Sequence, residues 1–455
     1  MNKILFSIIL FNASWLFAQE GNGTLDLHSF VNKGLANEPK IQEKSFEIKK
    51  AELQKQAMRN SAIIPKLEVS FAVGPAPRYS ITHDANGNAD ATYDFGTIDP
   101  FFGTEIKLMQ PLNIDRLIHG MKASTYAITL TECEKRKASI ELSKSLQELY
   151  YKYIYVKQMM SLATEVKSNL EKAIKKVKDD LDNERSDVTQ DDLLELKAQM
   201  FTIDDGLYQA EHGLEAVHRA ITFCIQDSNF SFKDSILSIR TEKTGPLDTL
   251  KKLLLYYQPD LQRLQIGIKA QQMVVNTAIG ELLPDVFAVG GIKLSRVVID
   301  KNMSNGTDDL LNPYNNKEGS LGIGLRFNLN YWSLKDKYLK EKNELDKVHY
   351  KETYASNGLV LELETQFNKV FVYKKRCESA KVSLDNSEAL MKSVAIKYDL
   401  DHSKIKQLVS SYEKNILCRK NYAGAILDYN IAVADLMVKT GLTFDEYLQN
   451  VNKSN

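Results

Sequence analysis

The sequence carries no excess of either charge and few cysteines. Its 455 residues contain 59 Lys plus Arg and 59 Asp plus Glu, so the composition predicts neither a basic surface for nucleic acid nor an acidic tail. The cysteines are Cys133, Cys224, Cys377 and Cys418, widely spaced within helical patterns and without a Cys-x-x-Cys pair. That spacing favours buried free thiols, with one or two disulfides as the alternative.

Long apolar runs are also missing beyond the first residues. The N-terminus has Lys3, an apolar run from Ile4 to Phe17 and then Ala18, a pattern typical of a secretory signal peptide over 1–18. No run of about 18 apolar residues follows it, so we expect no transmembrane helix. The exported chain is then either soluble or crosses a membrane as strands.

The sequence shows no catalytic or metal-binding constellation. Its 7 histidines include no i, i+4 pair, as a helical metal site would require. No Ser-His-Asp, Cys-His or paired-carboxylate arrangement stands out either. We therefore predict that the chain is not an enzyme and holds no metal or cofactor.

What the sequence does contain is an internal repeat. Pro39 and Pro259 each open a helical stretch, and the two stretches end at Pro65 and Pro284. The shift between the copies is about 220 residues, half the chain, which predicts two copies of one long unit. The predicted segments are a first repeat over 19–227, a linker over 228–257, a second repeat over 258–440 and a C-terminal tail over 441–455.

Each repeat contains two stretches with the period of a β-strand. Apolar and polar residues alternate over 66–73, 102–112 and 321–329, whereas the stretch from Asp285 has no clean polar face. Strands of about nine to eleven residues with one apolar and one polar face fit a transmembrane barrel. A soluble sheet packed on helices is the alternative. Polar loops are expected over 74–100 and 300–319.

A long helical hairpin follows each pair of strands. In the first half, apolar residues step by three and four over about 113–181, and a polar turn at 182–187 starts the return helix. In the second half the helix covers about 333–398, with a turn at 399–403 and a return to Lys439. This spacing is typical of a coiled coil.

Four lipid-exposed strands require further strands from other chains. Open edges leave backbone groups unpaired in hydrocarbon, and bacterial barrels start at about eight strands. Two chains would supply eight strands and three would supply twelve, and the strand count does not choose between them.

The order of these motifs resembles one family. The prolines at 39 and 259, the Ile-Pro and Leu-Pro junctions before the strands, Gln110-Pro111-Leu112 at a strand end and the two hairpins are similar to the TolC-like outer-membrane efflux proteins. The resemblance implies an α+β membrane protein. Three chains would share a twelve-stranded β-barrel, four strands each, continued by a long α-helical coiled-coil barrel across the periplasm.

The same resemblance implies a function. The homotrimer would be a passive exit duct for efflux or type I secretion in the outer membrane, surrounded by its lipid and gated at the hairpin tips. Its partners would be a periplasmic adaptor protein and an inner-membrane pump of the RND, ABC or MFS type. The alternative function is that of a secreted, soluble coiled-coil structural or interaction protein.

Candidate site residues fall into three groups. The resemblance places adaptor contacts at the tips, where Ser186 and Asp401 stand at positions that often hold glycine. Asp191, Asp192 and Glu195 predict an acidic, cation-favouring ring at the aperture, or else carboxylates that complement a helix N-terminus. The groups are the tips (Arg185, Ser186, Asp187, Asp401, His402), the aperture (Asp191, Asp192, Glu195, Gln407, Ser410) and the lumen-facing strand positions (Glu68, Glu105, Lys107, Arg326, Asn328).

Overall fold

The computed structural model describes residues 24–83, 86, 89–183, 189–240, 244–297, 313–400 and 405–453. The predicted signal peptide therefore lies outside the described residues. The helices are α1 (Leu27–Asn37), α2 (Pro39–Ile63), α3 (Ile114–Asp182), α4 (Gln190–Ile225), α5 (Leu247–Tyr257), α6 (Pro259–Gly280), α7 (Tyr331–Leu400), α8 (Ile405–Lys439) and α9 (Phe444–Lys453). The strands are β1 (Lys66–His83), β2 (Ala89–Pro111), β3 (Asp285–Val297) and β4 (Asn316–Arg326).

The order of elements repeats along the chain. A short helix, a one-residue break, a longer helix, two strands and two long helices occur in each half. The break residues Glu38 and Gln258 are both extended, with φ and ψ of −70° and 118° and of −65° and 117°. Each precedes a proline, which disfavours helical geometry in the residue before it. The predicted linker contains α5 and the predicted tail contains α9, two helices that the sequence analysis did not foresee.

The chain divides into two compact units. The sheet unit comprises the described residues of 46–132 and 263–352, and the helical unit comprises those of 24–45, 133–262 and 353–453. All four strands belong to the sheet unit, whereas α4, α5, α8 and α9 lie in the helical unit.

The sheet is antiparallel, in the order β1-β2-β3-β4. The predicted loop over 74–100 is wrong, because β1 continues through Pro75 and Pro77 to His83. Proline is tolerated in an edge strand, where its missing N–H faces away from the ladder. The pairing of β1 with β2 has an irregularity at Pro77 and Arg78. On the β2 side of it, the Asp94 carboxylate accepts hydrogen bonds from the backbone N–H of Gly96 and from the Thr97 hydroxyl.

The predicted last strand also has wrong limits. It begins at Asn316, inside the predicted polar loop, and ends at Arg326 rather than at Leu329. Beyond it, Asn328 Oδ1 accepts a hydrogen bond from the backbone N–H of Asn330 at 3.1 Å. Such an Asx turn competes with strand pairing, and α7 begins at the next residue.

The core of the helical unit is built from both repeats. Phe30 of α1, Tyr150 of α3, Leu250 of α5, Leu436 of α8 and Tyr447 of α9 are all fully buried. The Tyr150 hydroxyl donates to Asp234 at 2.7 Å, and burial together with this bond raises the pKa of Tyr150 above its ordinary value.

The coiled-coil pattern of α7 is confirmed. Leu363, Val370, Cys377 and Leu384, each seven residues after the last, are buried. The four cysteines of the chain are free thiols, and Cys133 and Cys377 are buried. None of the described helices carries an apolar stretch of the length and low charge that a membrane-spanning helix needs.

Candidate functional site: a two-faced sheet and the hairpin ends

Pairing between the strands places polar residues on one face of the sheet. Glu68 lies opposite Lys107, and Ser70 lies opposite Glu105. Glu105 in turn pairs with Lys293, which pairs with Glu318. Because facing residues of paired strands point to the same side, these side chains form two charged rows across the sheet. Lys107 Nζ also lies 3.1 Å from Glu105 Oε2.

The opposite face of the sheet is mostly apolar, and its side chains are exposed within the described part of the chain. Phe71, Leu321 and Ile323 are 77%, 88% and 75% exposed. Soluble monomers rarely expose such continuous apolar surface, which marks an interaction with lipid or protein. The other exposed large apolar residues of this face are Leu67, Val69, Val73, Phe102, Ile292, Leu294 and Leu325. Two exposed charged residues, Arg296 opposite Phe102 and Lys317 opposite Leu294, also lie on this face.

The strand residues predicted to face a lumen lie mostly on the polar side. Glu68, Glu105, Lys107 and Arg326 share that face, and the Arg326 guanidinium lies 5.2 Å from the ring centre of Phe287. Asn328 lies beyond β4, so its assignment to a strand is wrong.

Two further charged residues of the polar face were missed from sequence. Lys293 sits in β3, whose alternation begins only in its second half, and Glu318 sits in the predicted loop. The signal that would have found Glu318 is the two-residue period of the polar face, which continues backwards from Gly322 through Ser320 to Glu318.

The sheet has two unpaired edges within the described chain. β1 pairs only with β2, and β4 pairs only with β3. Each outer edge presents a row of backbone N–H and C=O groups that another strand can pair, although Pro75 and Pro77 of β1 have no N–H to donate.

A polar junction fixes the sheet to the helices of its own unit. Arg116 and Asn113, at the start of α3, both donate to Asp285 Oδ1 at the start of β3, at 2.5 and 2.7 Å. Asn113 Oδ1 accepts from the backbone N–H of Val286, and Arg116 donates to the Gly280 carbonyl at the end of α6. These bonds fix the start of β3 relative to α3 and to the end of α6.

The acidic residues of the first hairpin have two different environments. Thr189 and Asp192 form a capping box at the start of α4, in which the Thr189 backbone N–H donates to Asp192 Oδ2 at 2.9 Å. Asp192 is buried, as expected of a carboxylate that complements a helix N-terminus. Asp191 and Glu195 are exposed.

The second hairpin end is only partly described. Gln407 is exposed and Ser410 is half-buried, both in the first turns of α8. The predicted tip residues Arg185, Ser186, Asp187, Asp401 and His402 lie outside the described residues.

Polar contacts join α8 to the first hairpin. Gln199 Nε2 of α4 donates to Glu413 Oε1 of α8 at 2.6 Å, and Arg419 of α8 lies 3.2 Å from Glu165 of α3. A small apolar cluster of Val177, Leu193 and Leu196 lies nearby, with Leu408 of α8 packed on it. Sequence analysis missed these pairs because their members are more than 200 residues apart.

No group of three or more potential metal ligands occurs in the part of the chain that the structure describes. No protein-family model matches the sequence, and neither does any curated protein.

Solved structures do match the fold. OprN, an outer-membrane channel, superposes with a TM-score of 0.73 at 13% identity, over 91% of this chain and 89% of its own. The CmeC outer membrane channel of Campylobacter jejuni gives 0.73 at 14% identity, over 94% and 88%. The chain has the fold of these outer-membrane channels. The open state of the Neisseria gonorrhoeae MtrE outer membrane channel gives 0.70 at 13% identity, over 91% and 88%. The predicted resemblance is thus confirmed for the fold, over nearly the full length of both chains.

Proposed function

We propose that three copies of this chain form a passive exit duct in the outer membrane. The observation that carries the proposal is the four-stranded sheet, with one apolar face and two unpaired edges. In hydrocarbon every backbone group needs a partner, so β1 and β4 pair with strands of neighbouring copies. The fold shared with outer-membrane channels favours three copies, and hence a twelve-stranded barrel, over two.

Exposed apolar residues on the helices support contact between copies. Leu194, Phe201 and Tyr208 of α4 are exposed and follow each other at intervals of seven residues. A seven-residue apolar stripe is the pattern that packs against a neighbouring helix in a coiled coil. In the trimer the helical hairpins continue the duct into the periplasm.

In this duct the polar face of the sheet lines the lumen and the hairpin ends form the gate. Opening separates the first turns of α8 from α3 and α4, which meet there through the Gln199–Glu413 and Glu165–Arg419 pairs and through the packing of Leu408 on the apolar cluster. Such an arrangement has two packings of similar energy. A periplasmic adaptor holds the tips, and an RND, ABC or MFS pump selects the cargo for efflux or type I secretion.

The exposed carboxylates of Asp191 and Glu195 give this gate a preference for cations. Repeated in three copies, they concentrate negative charge near the hairpin ends. Asp191→Asn combined with Glu195→Gln lowers the cation selectivity in single-channel recordings. Unchanged ion selectivity would contradict this part of the proposal.

Fractionation of cells tests the proposal as a whole. The chain is expected in the outer membrane and, after extraction in detergent, at three times the mass of one exported chain. Reconstituted trimers are expected to conduct ions across planar bilayers. A monomer in the soluble fraction would instead support the secreted coiled-coil protein.

A further inference from the structure

Glu68, on the outer strand β1, is a carboxylate without an ion-pair partner among the described residues. It is exposed on the polar face of the sheet, opposite Lys107 of β2. The Lys107 ammonium lies beside another carboxylate, with Nζ 3.1 Å from Glu105 Oε2. Residues that face each other on neighbouring strands interact directly, so the charge of Glu68 is available to a strand that pairs with the outer edge of β1.

Arg326, on the other outer strand, is also without an ion pair in the described part of the chain. It lies opposite Asp285 of β3, whose Oδ1 atom accepts hydrogen bonds from Arg116 and Asn113 at 2.5 and 2.7 Å. The Arg326 guanidinium lies 5.2 Å from the ring centre of Phe287 instead. The two outer strands therefore carry unmatched charges of opposite sign on the same face.

These two charges cannot meet within one chain. Strands β2 and β3 lie between β1 and β4, and three strand spacings separate the outer strands by about 14 Å. Only a second copy brings β4 beside β1, as in the barrel proposed above. The junction between β4 of one copy and β1 of the next is called the seam below, and its register decides which residues face each other.

The limits of β1 leave three registers for the seam. The sheet keeps its two faces only if polar residues face polar ones, so Arg326 must lie opposite an even-numbered residue of β1. No partner precedes Lys66, where β1 begins, and Pro75 has no N–H to donate across the seam. Arg326 can thus lie opposite Lys66, Glu68 or Ser70 while several residues of β1 still pair before the proline.

Charge distinguishes these registers. Lys66 opposite Arg326 would place two cations side by side, which destabilises a sheet, whereas Glu68 opposite Arg326 joins opposite charges. Ser70 opposite Arg326 would leave both charges unmatched, and only 70–74 would remain for pairing before Pro75. The register with Glu68 is therefore favoured.

We propose that Arg326 of one copy lies opposite Glu68 of the next copy in the seam. Glu68 then lies between two cations, Arg326 across the seam and Lys107 in its own chain. In the same register Gly322 lies opposite Ala72. This inference rests on the proposed trimeric duct and adds to it the residues that align neighbouring copies.

Disulfide cross-linking of the full chain in outer membranes tests the register. The four native cysteines are replaced by alanine, and Gly322→Cys is combined with one cysteine on β1, chosen to face it in each register. A Cβ at Gly322 meets nothing within 4 Å. The β1 variants are Ser70→Cys, Ala72→Cys and Gly74→Cys, for the registers with Arg326 opposite Lys66, Glu68 and Ser70. Copper–phenanthroline oxidises the thiols, and gels without reductant show the covalent trimer.

The Ala72→Cys variant is expected to cross-link at least about tenfold faster than the other two, because diagonal residues lie about 7–8 Å apart, beyond the reach of a disulfide. Faster cross-linking through Ser70→Cys or Gly74→Cys, equal rates in all three, or trimers without any cross-link would overturn the register and leave the barrel in place. Absence of a trimer in the native chain would contradict the proposed duct itself.

A second measurement uses the charges without new thiols. Glu68→Gln and Arg326→Gln are each expected to lower the temperature at which the trimer dissociates, and the double variant should fall no further than the larger single effect. Glu105→Gln with Arg326→Gln is the control, because Glu105 lies on β2, about two strand spacings from either copy of β4, so these effects should add. Additive effects of Glu68→Gln and Arg326→Gln would overturn the pairing.

Discussion

At the scale of single residues, Gly441 sits where no other residue fits. Its φ is +78°, and a Cβ there would lie 2.5 Å from Gln258 Cα and 2.6 Å from the Tyr257 carbonyl carbon. A left-handed conformation costs a residue with a side chain about 1–2 kcal/mol, and backbone atoms cannot move aside as a flexible side chain can. The glycine lets the chain leave α8 against the break between α5 and α6.

Gly441→Ala is therefore expected to destabilise the protein by more than about 2 kcal/mol. The measurement is the unfolding temperature of the purified protein. Gly424→Ala is the control, because Gly424 lies within α8 and a Cβ there meets nothing within 4 Å. That variant should be neutral or more stable, by up to about 1 kcal/mol. Equal losses in both variants would contradict the role of Gly441.

Cys377 is a thiol whose surroundings suppress its reactivity. Its side chain is 1% exposed and donates to the Ala425 carbonyl at 3.0 Å. Burial, with a smaller contribution from Asp428, raises the pKa of Cys377 to about 11 from an ordinary value of 9.0. Since the thiolate is the reactive form, the folded chain holds this cysteine in the inert state at neutral pH.

We expect iodoacetamide to modify Cys377 at pH 8 about 100-fold more slowly in the folded than in the denatured protein, because the raised pKa reduces the thiolate by that factor. The rate should rise about tenfold per pH unit while the protein stays folded. Peptide mapping by mass spectrometry measures both rates. Modification at the rate of the denatured chain would show that the thiol is accessible and ionised.

At the scale of elements, alternation predicted the faces of the strands better than their lengths. The two-residue period assigned Glu68, Glu105 and Lys107 to one face, and the observed register agrees. The predicted limits of β1 and β4 are wrong because proline, asparagine and glycine are typical of loops when each is considered with its sequence neighbours alone. Pairing with a neighbouring strand decides whether such residues extend the sheet, and the neighbour of β1 is β2, the next strand along the chain.

Adjacent residues of β4 test the two faces separately. Leu321 lies on the apolar face and Ser320 on the polar face. If the apolar face meets lipid, Leu321→Arg costs about 2–4 kcal/mol near the middle of the membrane, and the yield of trimer in the outer membrane falls. Ser320→Arg should assemble normally. Loss of assembly in both variants, or in neither, would argue against a lipid-facing sheet.

At the scale of the whole molecule, the two hairpins meet through pairs that only the fold brings together. Gln199 and Glu413 join α4 to α8, whereas Lys167 and Asp204, 2.8 Å apart, join α3 to α4 within one hairpin. The Gln199–Glu413 pair lies across the proposed gate. The Lys167–Asp204 pair lies within the first hairpin and does not cross the gate.

Cross-linking these pairs distinguishes a moving hairpin from a fixed one. In a chain whose four native cysteines are replaced by alanine, Gln199→Cys with Glu413→Cys is joined by a short, cleavable bis-maleimide. Transport of an exported compound is expected to stop and to return after cleavage. The same reagent on Lys167→Cys with Asp204→Cys should leave transport intact. Full transport with α4 joined to α8 would contradict gating by α8.

The repeat, the long helices and the two faces of the strands could be predicted from the sequence alone. These features depend on local periodicity and on prolines, whose effects act within a few residues. Other features became visible only in the folded chain. They are the packing of α5 and α9 into the core, the charged row through Lys293 and Glu318, the Asp192 cap and the contacts of Glu413 and Arg419. Each of these depends on groups distant in sequence or on a pairing partner, and burial and register are properties of the packed chain rather than of any window along it.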